Sequence, residues 1–171
     1  MIDQQQLLDY LDQLDALLQK KITLVAVGGT ALCLMNLKES TKDVDFCAAT
    51  KQEFEMIKQA SKKVKTIFKI DLYHTGYIFC LQLPDDYIFR ARSFPSNFKN
   101  ISLKTLSPID IIITKTGRLN QRDIEDIEAV IKNKKVDKIE LIDRFNIIKK
   151  SIPSNDAVFE ENFKMVLKEF F

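Results

Sequence analysis

The sequence predicts an α+β fold, with a mixed β-sheet core, flanking helices and a C-terminal helical segment. Three observations carry that expectation. Up to Leu106, short apolar or alternating runs are punctuated by glycine, proline and acidic turns. From Ser107 onward the apolar residues recur at helical spacing. Within the first of these stretches, Leu24-Val25-Ala26-Val27 leads through Gly28-Gly29 into helix-forming residues, which reads as a strand-turn-helix junction. The expected organisation is an α/β core over residues 1–106 with helices over 107–171 packed on it.

The elements follow in order. Ile2 to Leu18 places Leu7, Leu8, Leu11, Leu14, Leu17 and Leu18 at helical spacing, with Asp9, Asp12 and Asp15 mostly opposite. After the glycine junction, Thr30 to Met35 forms a short helix and Lys42 to Ala48 a strand. Thr50 caps a helix over Lys51 to Lys62 that turns Phe54, Met56 and Ile57 partly inward. Strands are expected over Thr66 to His74 and Tyr77 to Leu83, joined at Thr75-Gly76, and then over Tyr87 to Ser93 and Asn100 to Leu106. Ser107 as cap with Pro108 at the first helical position starts the next helix, and Gly117 stops it. Further helices are expected over Gln121 to Asn133, Val136 to Lys150 and Asn155 to Phe170, the last two split at Ile152-Pro153.

Chemistry concentrates at Val27-Gly28-Gly29-Thr30 and Asp43-Val44-Asp45. Without a Cβ, the glycines let the chain turn sharply and let another group approach the backbone. Thr30 falls where an N-cap hydroxyl would sit, beside helix-opening amides that favour anions. A strand turns alternate residues to one face, so Asp43 and Asp45 point together while Val44 and Phe46 enter the core. Asp71, among Ile70, Leu72 and Tyr73, is a third acid in an apolar setting; it joins the site, caps a strand end or pairs with Lys69. Two carboxylates about 5 Å apart repel by roughly 3 kcal/mol at an effective dielectric of 20. Three therefore call for a cation, and all-oxygen ligation favours Mg²⁺ or Mn²⁺ over zinc. Lys42 and Lys38 are solvated charges or, beside the carboxylates, partners for a triphosphate.

At these residues the chain resembles the nucleotidyltransferase superfamily, whose fold is shared by DNA polymerase beta, kanamycin nucleotidyltransferase and the type IV abortive-infection toxins. The family pattern of a Gly-Gly or Gly-Ser turn, an Asp-x-Asp strand and a third strand-borne acid looks like Gly28-Gly29-Thr30, Asp43-x-Asp45 and Asp71. Thr30 replaces the commoner serine, keeping the hydroxyl and adding a methyl. Downstream, Ser107 to Lys115 and Arg118 to Ile127 look like the helical segment of small nucleotidyltransferase-like proteins and of the toxins. The resemblance spans about residues 22 to 130.

The resemblance implies transfer of a nucleoside monophosphate from an NTP to an acceptor hydroxyl. It assigns Asp43, Asp45 and Asp71 to two Mg²⁺ ions, Asp71 also to proton transfer, and Gly28, Gly29, Thr30 and Lys42 to the nucleotide. From the toxins it assigns catalytic roles to Lys115 and Asp123. Read as residues alone, Lys115, Arg118 and Arg122 are equally suited to pairing with Asp123 and Asp126 along the helices. RNA ends and proteins both remain open as acceptors. The toxin branch implies a toxin–antitoxin pair, with an antitoxin or a second copy of the chain as partner.

Composition narrows the alternatives. With 26 basic and 24 acidic side chains, net +2, there is no global charge signal for nucleic acid or membrane, so nucleotide attraction must be local. The three cysteines, Cys33, Cys47 and Cys80, lack metal-type spacing and read as reduced buried thiols of a cytoplasmic protein. No secretory signal or membrane span is evident. His74, the single histidine, leaves little for a histidine-based zinc site or a Ser-His-Asp triad and reads as a strand-end residue. The rival reading is a binding module without turnover that uses Phe159, Phe163, Phe170 and Phe171 as a partner surface; these aromatics are otherwise core or dimer contacts.

Overall fold

The apolar periodicities fold into helices around a twisted sheet, and the computed structural model describes residues 1–152 and 157–171. The chain opens with β1 (Ile2–Asp3) and α1 (Gln4–Leu17), where Asp3 and Gln6 form a reciprocal capping box. Then come β2 (Ile22–Ala26), α2 (Gly28–Leu34), β3 (Ser40–Thr41) and β4 (Val44–Ala48). Thr50 and Glu53 cap α3 (Lys51–Ser61) as the sequence predicts, and β5 (Ile70–His74) follows. Next are β6 (Tyr77–Ile78), β7 (Leu81–Gln82), the single turn of α4 (Tyr87–Arg90), β8 (Arg92–Ser93) and β9 (Ile101–Thr105). Helices α5 (Pro108–Thr116), α6 (Gln121–Asn133), α7 (Lys138–Lys149) and α8 (Ala157–Phe170) complete the chain.

Seven strands form one sheet in the order β7-β6-β5-β4-β2-β9-β8, while β1 and β3 pair separately. Within the sheet β2 is antiparallel to β4 and parallel to β9, and β4 is parallel to β5. The mixed sheet of the sequence expectation is thus present. The C-terminal end of β2 lies beside the N-terminal ends of β4 and β5, and all the candidate acids fall at that end. Every residue of α5 is buried, and this helix packs against α2, α6, α7 and α8. Its buried Asp110 takes a bidentate pair from Arg144 at 2.8 and 3.2 Å, which ties α5 to α7.

Several expectations are corrected. Tyr77 to Leu83 is not one strand, because Phe79 and Cys80 adopt left-handed backbone (φ 50° and 66°) and fold β6 back onto β7. Tyr87 to Ser93 is not one strand either. Tyr87 begins a helical turn that buries its ring and donates its hydroxyl to the Ala48 carbonyl at 3.4 Å. Asp15 is no solvated helix acid: it is buried and accepts the amides of Lys99, Asn100 and Ile101 at 2.7 to 2.9 Å. Phe159 and Phe163 face inward onto Phe145, the latter stacked at 3.7 Å, so they do not present the partner surface of the rival reading. Cys33 and Cys47 are buried as expected, whereas Cys80 is exposed. Pro153 and Asn155, where a helix break and a helix start were expected, lie outside the described residues.

Candidate active site

Position two of a strand faces the same way as position four, and adjacent strands lie about 4.8 Å apart. The inter-strand spacing pairs two of the acids. Asp45 on β4 stands in direct register with Asp71 on β5, and Asp43 precedes β4 by one residue. All three line a cleft of about 330 Å³ together with Gly28, Gly29 and Lys42. Val44 and Phe46 point the other way into the core, fully buried.

Two threonines fix the strand start. The Thr30 hydroxyl accepts the Asp45 amide at 2.9 Å and reaches the Asp43 carbonyl at 3.4 Å; the Thr41 hydroxyl donates to the same carbonyl at 3.0 Å. Thr30 is therefore not the N-cap of α2, a place taken by Val27 without any side-chain bond. Its buried hydroxyl positions the Asp43–Asp45 segment and lies off the cleft wall. The two glycines also divide their tasks. Gly28 has φ +54°, a conformation side chains resist, and faces the cleft beside Asp45. At Gly29 a Cβ would lie 2.5 Å from the Thr41 hydroxyl, so its first requirement is close packing of α2 on β3.

Electrostatics at the acids is frustrated. Burial, and then the neighbouring Asp71 and Asp43 charges, push the Asp45 carboxyl up to about 7, against smaller opposing effects of Lys115 and Arg118. The same conditions, burial first and then Asp45 and Asp71, push the Tyr73 phenol up to about 12. Asp71 is relieved by Lys69, whose ammonium sits 2.7 Å away and is itself held protonated by that bond. Its side chain is 32% exposed, so the strand-borne acid forms a cleft wall and not a buried core charge.

Opposite the acids stands a chain of ions built on Lys115 and Asp123, which the sequence left open between catalytic residues and helix pairs. Lys115, 4% exposed, donates to Asp123 at 3.2 Å and to Asp126 at 2.6 Å. Asp126 also takes Lys38 at 2.8 Å, and Asp123 takes Arg118 through two bonds of 3.0 and 3.2 Å. The bond to Asp123, its largest influence, raises the Arg118 pKa further. Arg118 keeps 61% of its side chain exposed at the cleft mouth, where its guanidinium lies 5.6 Å from the Phe79 ring. Arg118, Asn120, Tyr73 and Phe79 are cleft residues that sequence reasoning did not assign. Tyr73 was readable, since it shares the Asp71 face of β5; the others reach the cleft through turns.

The acids offer the oxygen donors a hard divalent cation prefers, and Asp45 is raised by its burial and then by the neighbouring acids. Among the described residues, no three acid, imidazole or thiol groups converge closely enough to hold one ion together. Asp43 and Asp45 are the two cleft acids without a lysine partner among the described residues, whereas Asp71 is held by Lys69.

Acids in register on parallel strands face a glycine turn from the antiparallel neighbour, the arrangement that the sequence resemblance implies. The chain belongs to the family described as "Nucleotidyltransferase of unknown function (DUF6036)", a match that spans residues 5–168. No curated protein matches it. Among solved structures it is similar to an antigenic nucleotidyltransferase-like protein from Paracoccidioides brasiliensis. The identity is 17% over 81% of this chain and 89% of that one, with a TM-score of 0.45. Among the described residues no helix is long and apolar enough to cross a membrane.

Proposed function

We propose that this chain transfers the nucleoside monophosphate of an NTP to an acceptor hydroxyl on RNA or protein. The observation that carries the reading is the register of Asp45 with Asp71, with Asp43 beside them and the Gly28 turn opposite. The acceptor oxygen attacks the α-phosphorus, the bond to the β-bridging oxygen breaks, and pyrophosphate leaves. Asp43 and Asp45 would hold Mg²⁺ or Mn²⁺, which would neutralise the triphosphate and lower the pKa of the attacking hydroxyl.

This chain's own residues supply the rest. Asp71, within reach of water, takes the hydroxyl proton. Lys42, Arg118 and Arg122 are exposed cations at the cleft, beside the Lys69 that holds Asp71, and attract the phosphates. Asp123 orients Arg118, and Lys115 offsets Asp123 and Asp126, so these two act through Arg118 in place of touching the reacting atoms. A toxin of a toxin–antitoxin pair remains the biological role the family resemblance suggests, with an antitoxin or a second copy as partner.

A second reading has an observation in its favour. Lys69 holds Asp71 at 2.7 Å, which suits a nucleotide-binding module that does not turn over. Incubation with each α-phosphate-labelled NTP, Mg²⁺ or Mn²⁺, total RNA and protein extract separates the two. Label in RNA or protein that disappears with Asp43→Asn and Asp45→Asn supports transfer. Triphosphate-dependent stabilisation with no labelled product supports the binding module.

A further inference from the structure

Charged and polar groups line the carboxylate cleft except on one side, where Tyr73 and Phe79 meet edge to face with ring centroids 5.2 Å apart. Phe79 sits there in a costly conformation. It and Cys80 are the central residues of the turn from β6 to β7, and both have positive φ. Asparagine and glycine accept that backbone, whereas a bulky ring resists it. Strain of this kind at a cleft points to a task.

The position of the ring defines the task. Its Cζ lies 3.0 Å from where a Cβ on Gly28 would stand, and that point is 3.3 Å from Asp45 Oδ2. The ring is thus in contact with the glycine beside the acid, and a phosphate group docking against Gly28 needs the same volume. Arg118 holds the ring from another side, at 5.6 Å.

We propose that Phe79 is a latch across this cleft, kept shut by Gly28 and Arg118 and displaced by an incoming metal-bound triphosphate; the proposal rests on the nucleotide reading above. Ile78 and Leu81 on either side of the turn are buried, so the movement is confined to Phe79 and Cys80. Arg118 couples ligand to latch. An arriving phosphate draws its guanidinium away from the ring face, and the loosened ring leaves Gly28. A triphosphate has further phosphates to reach Arg118 while one docks at Gly28, and a nucleoside monophosphate has none, so the latch selects for polyphosphate ligands.

The test is binding of Mg²⁺-tripolyphosphate, Mg²⁺-ATP and Mg²⁺-AMP to the full chain, its Phe79→Ala variant and its Phe79→Asn variant. Asparagine removes the ring while suiting the backbone, which guards against a turn that fails to form. A fluorophore on exposed Cys80 reports the movement, since Cys33 and Cys47 are buried. The latch predicts that both variants bind both polyphosphates on the order of tenfold more tightly. It also predicts observed rates that level off with ligand concentration in the wild type and stay linear in the variants. Unchanged affinities and rates would overturn the latch and leave the nucleotide reading intact. Weaker ATP binding with unchanged tripolyphosphate binding would overturn it in favour of a base-stacking ring. If no ligand binds any of the three proteins, the nucleotide reading and the latch fall together.

Discussion

Removing the charge of Asp45 should stabilise the metal-depleted protein, although Asp45 is central to the proposed chemistry. Its carboxyl titrates at about 7 in place of the ordinary 3.8, because it is buried next to Asp71 and Asp43. A folded-state pKa above the unfolded one means that between these values the native state holds a proton the unfolded chain has lost, so stability falls as pH rises. Below 3.8 nothing is lost; above 7 the full cost is present. At about 1.4 kcal/mol per pH unit the cost is at most about 4.5 kcal/mol, a ceiling that rearrangement of Lys69 and Arg118 reduces to about 2–4 kcal/mol. Asp45→Asn keeps the shape and removes that cost, so in EDTA at pH 8 the variant should melt at least about 5 °C higher than the wild type. Urea or thermal unfolding between pH 5 and pH 8 measures this. The wild type should lose stability across the window while the variant stays nearly flat, and Mg²⁺ should narrow the gap at pH 8. A wild-type curve flat over this range, or a variant less stable at pH 8, would refute the account of Asp45 as a buried acid short of a cation.

Other expectations follow from single contacts. Gly29→Ala should cost about 1–3 kcal/mol by forcing its Cβ onto the Thr41 hydroxyl. Adding Thr41→Ala should recover part of that loss in a double-mutant cycle, and full additivity would refute the clash. Asp110→Ala leaves the buried Arg144 guanidinium only its 2.7 Å bond to the exposed Asp86 and should cost about 3 kcal/mol in urea unfolding. Arg144→Met in the same chain should restore most of it, and no recovery would assign the loss to something other than the pair. Once transfer is measured, Asp71→Asn should lower kcat and kcat/KM together while triphosphate binding is kept. Wild-type kcat with only a raised KM would remove Asp71 from the chemistry.

What the sequence made legible depended on distance along the chain. Asp45 and Asp71 were readable as strand residues because alternation is a local rule, whereas Asp43, expected on the same strand as Asp45, lies in the bend just before β4. The helix starts at Thr50 and Ser107 are local too, since each cap bonds an amide three residues on. Thr30 was misjudged because its partners, the Asp45 amide and the Asp43 carbonyl, belong to a different strand. Asp15 looked solvated for the same reason, its three amides lying on the approach to β9. The turn at Phe79-Cys80 hid because it lacks glycine and asparagine, the residues that normally announce positive φ. The ion chain from Lys38 through Asp126, Lys115 and Asp123 to Arg118 joins the glycine helix region to α6, and no local pattern announces such a contact.

The central claim is that the cleft binds a triphosphate and a divalent cation as one unit through Asp43 and Asp45. Calorimetric titration of a non-hydrolysable NTP analogue, with Mg²⁺ and then with EDTA, tests it most directly. The account predicts clear binding by the wild type with Mg²⁺ and little without, since the acids otherwise repel the phosphates, and loss of the Mg²⁺ effect in the Asp43→Asn, Asp45→Asn double variant. Equal wild-type affinity in Mg²⁺ and in EDTA, or a Mg²⁺ effect that survives intact in the double variant, would contradict it.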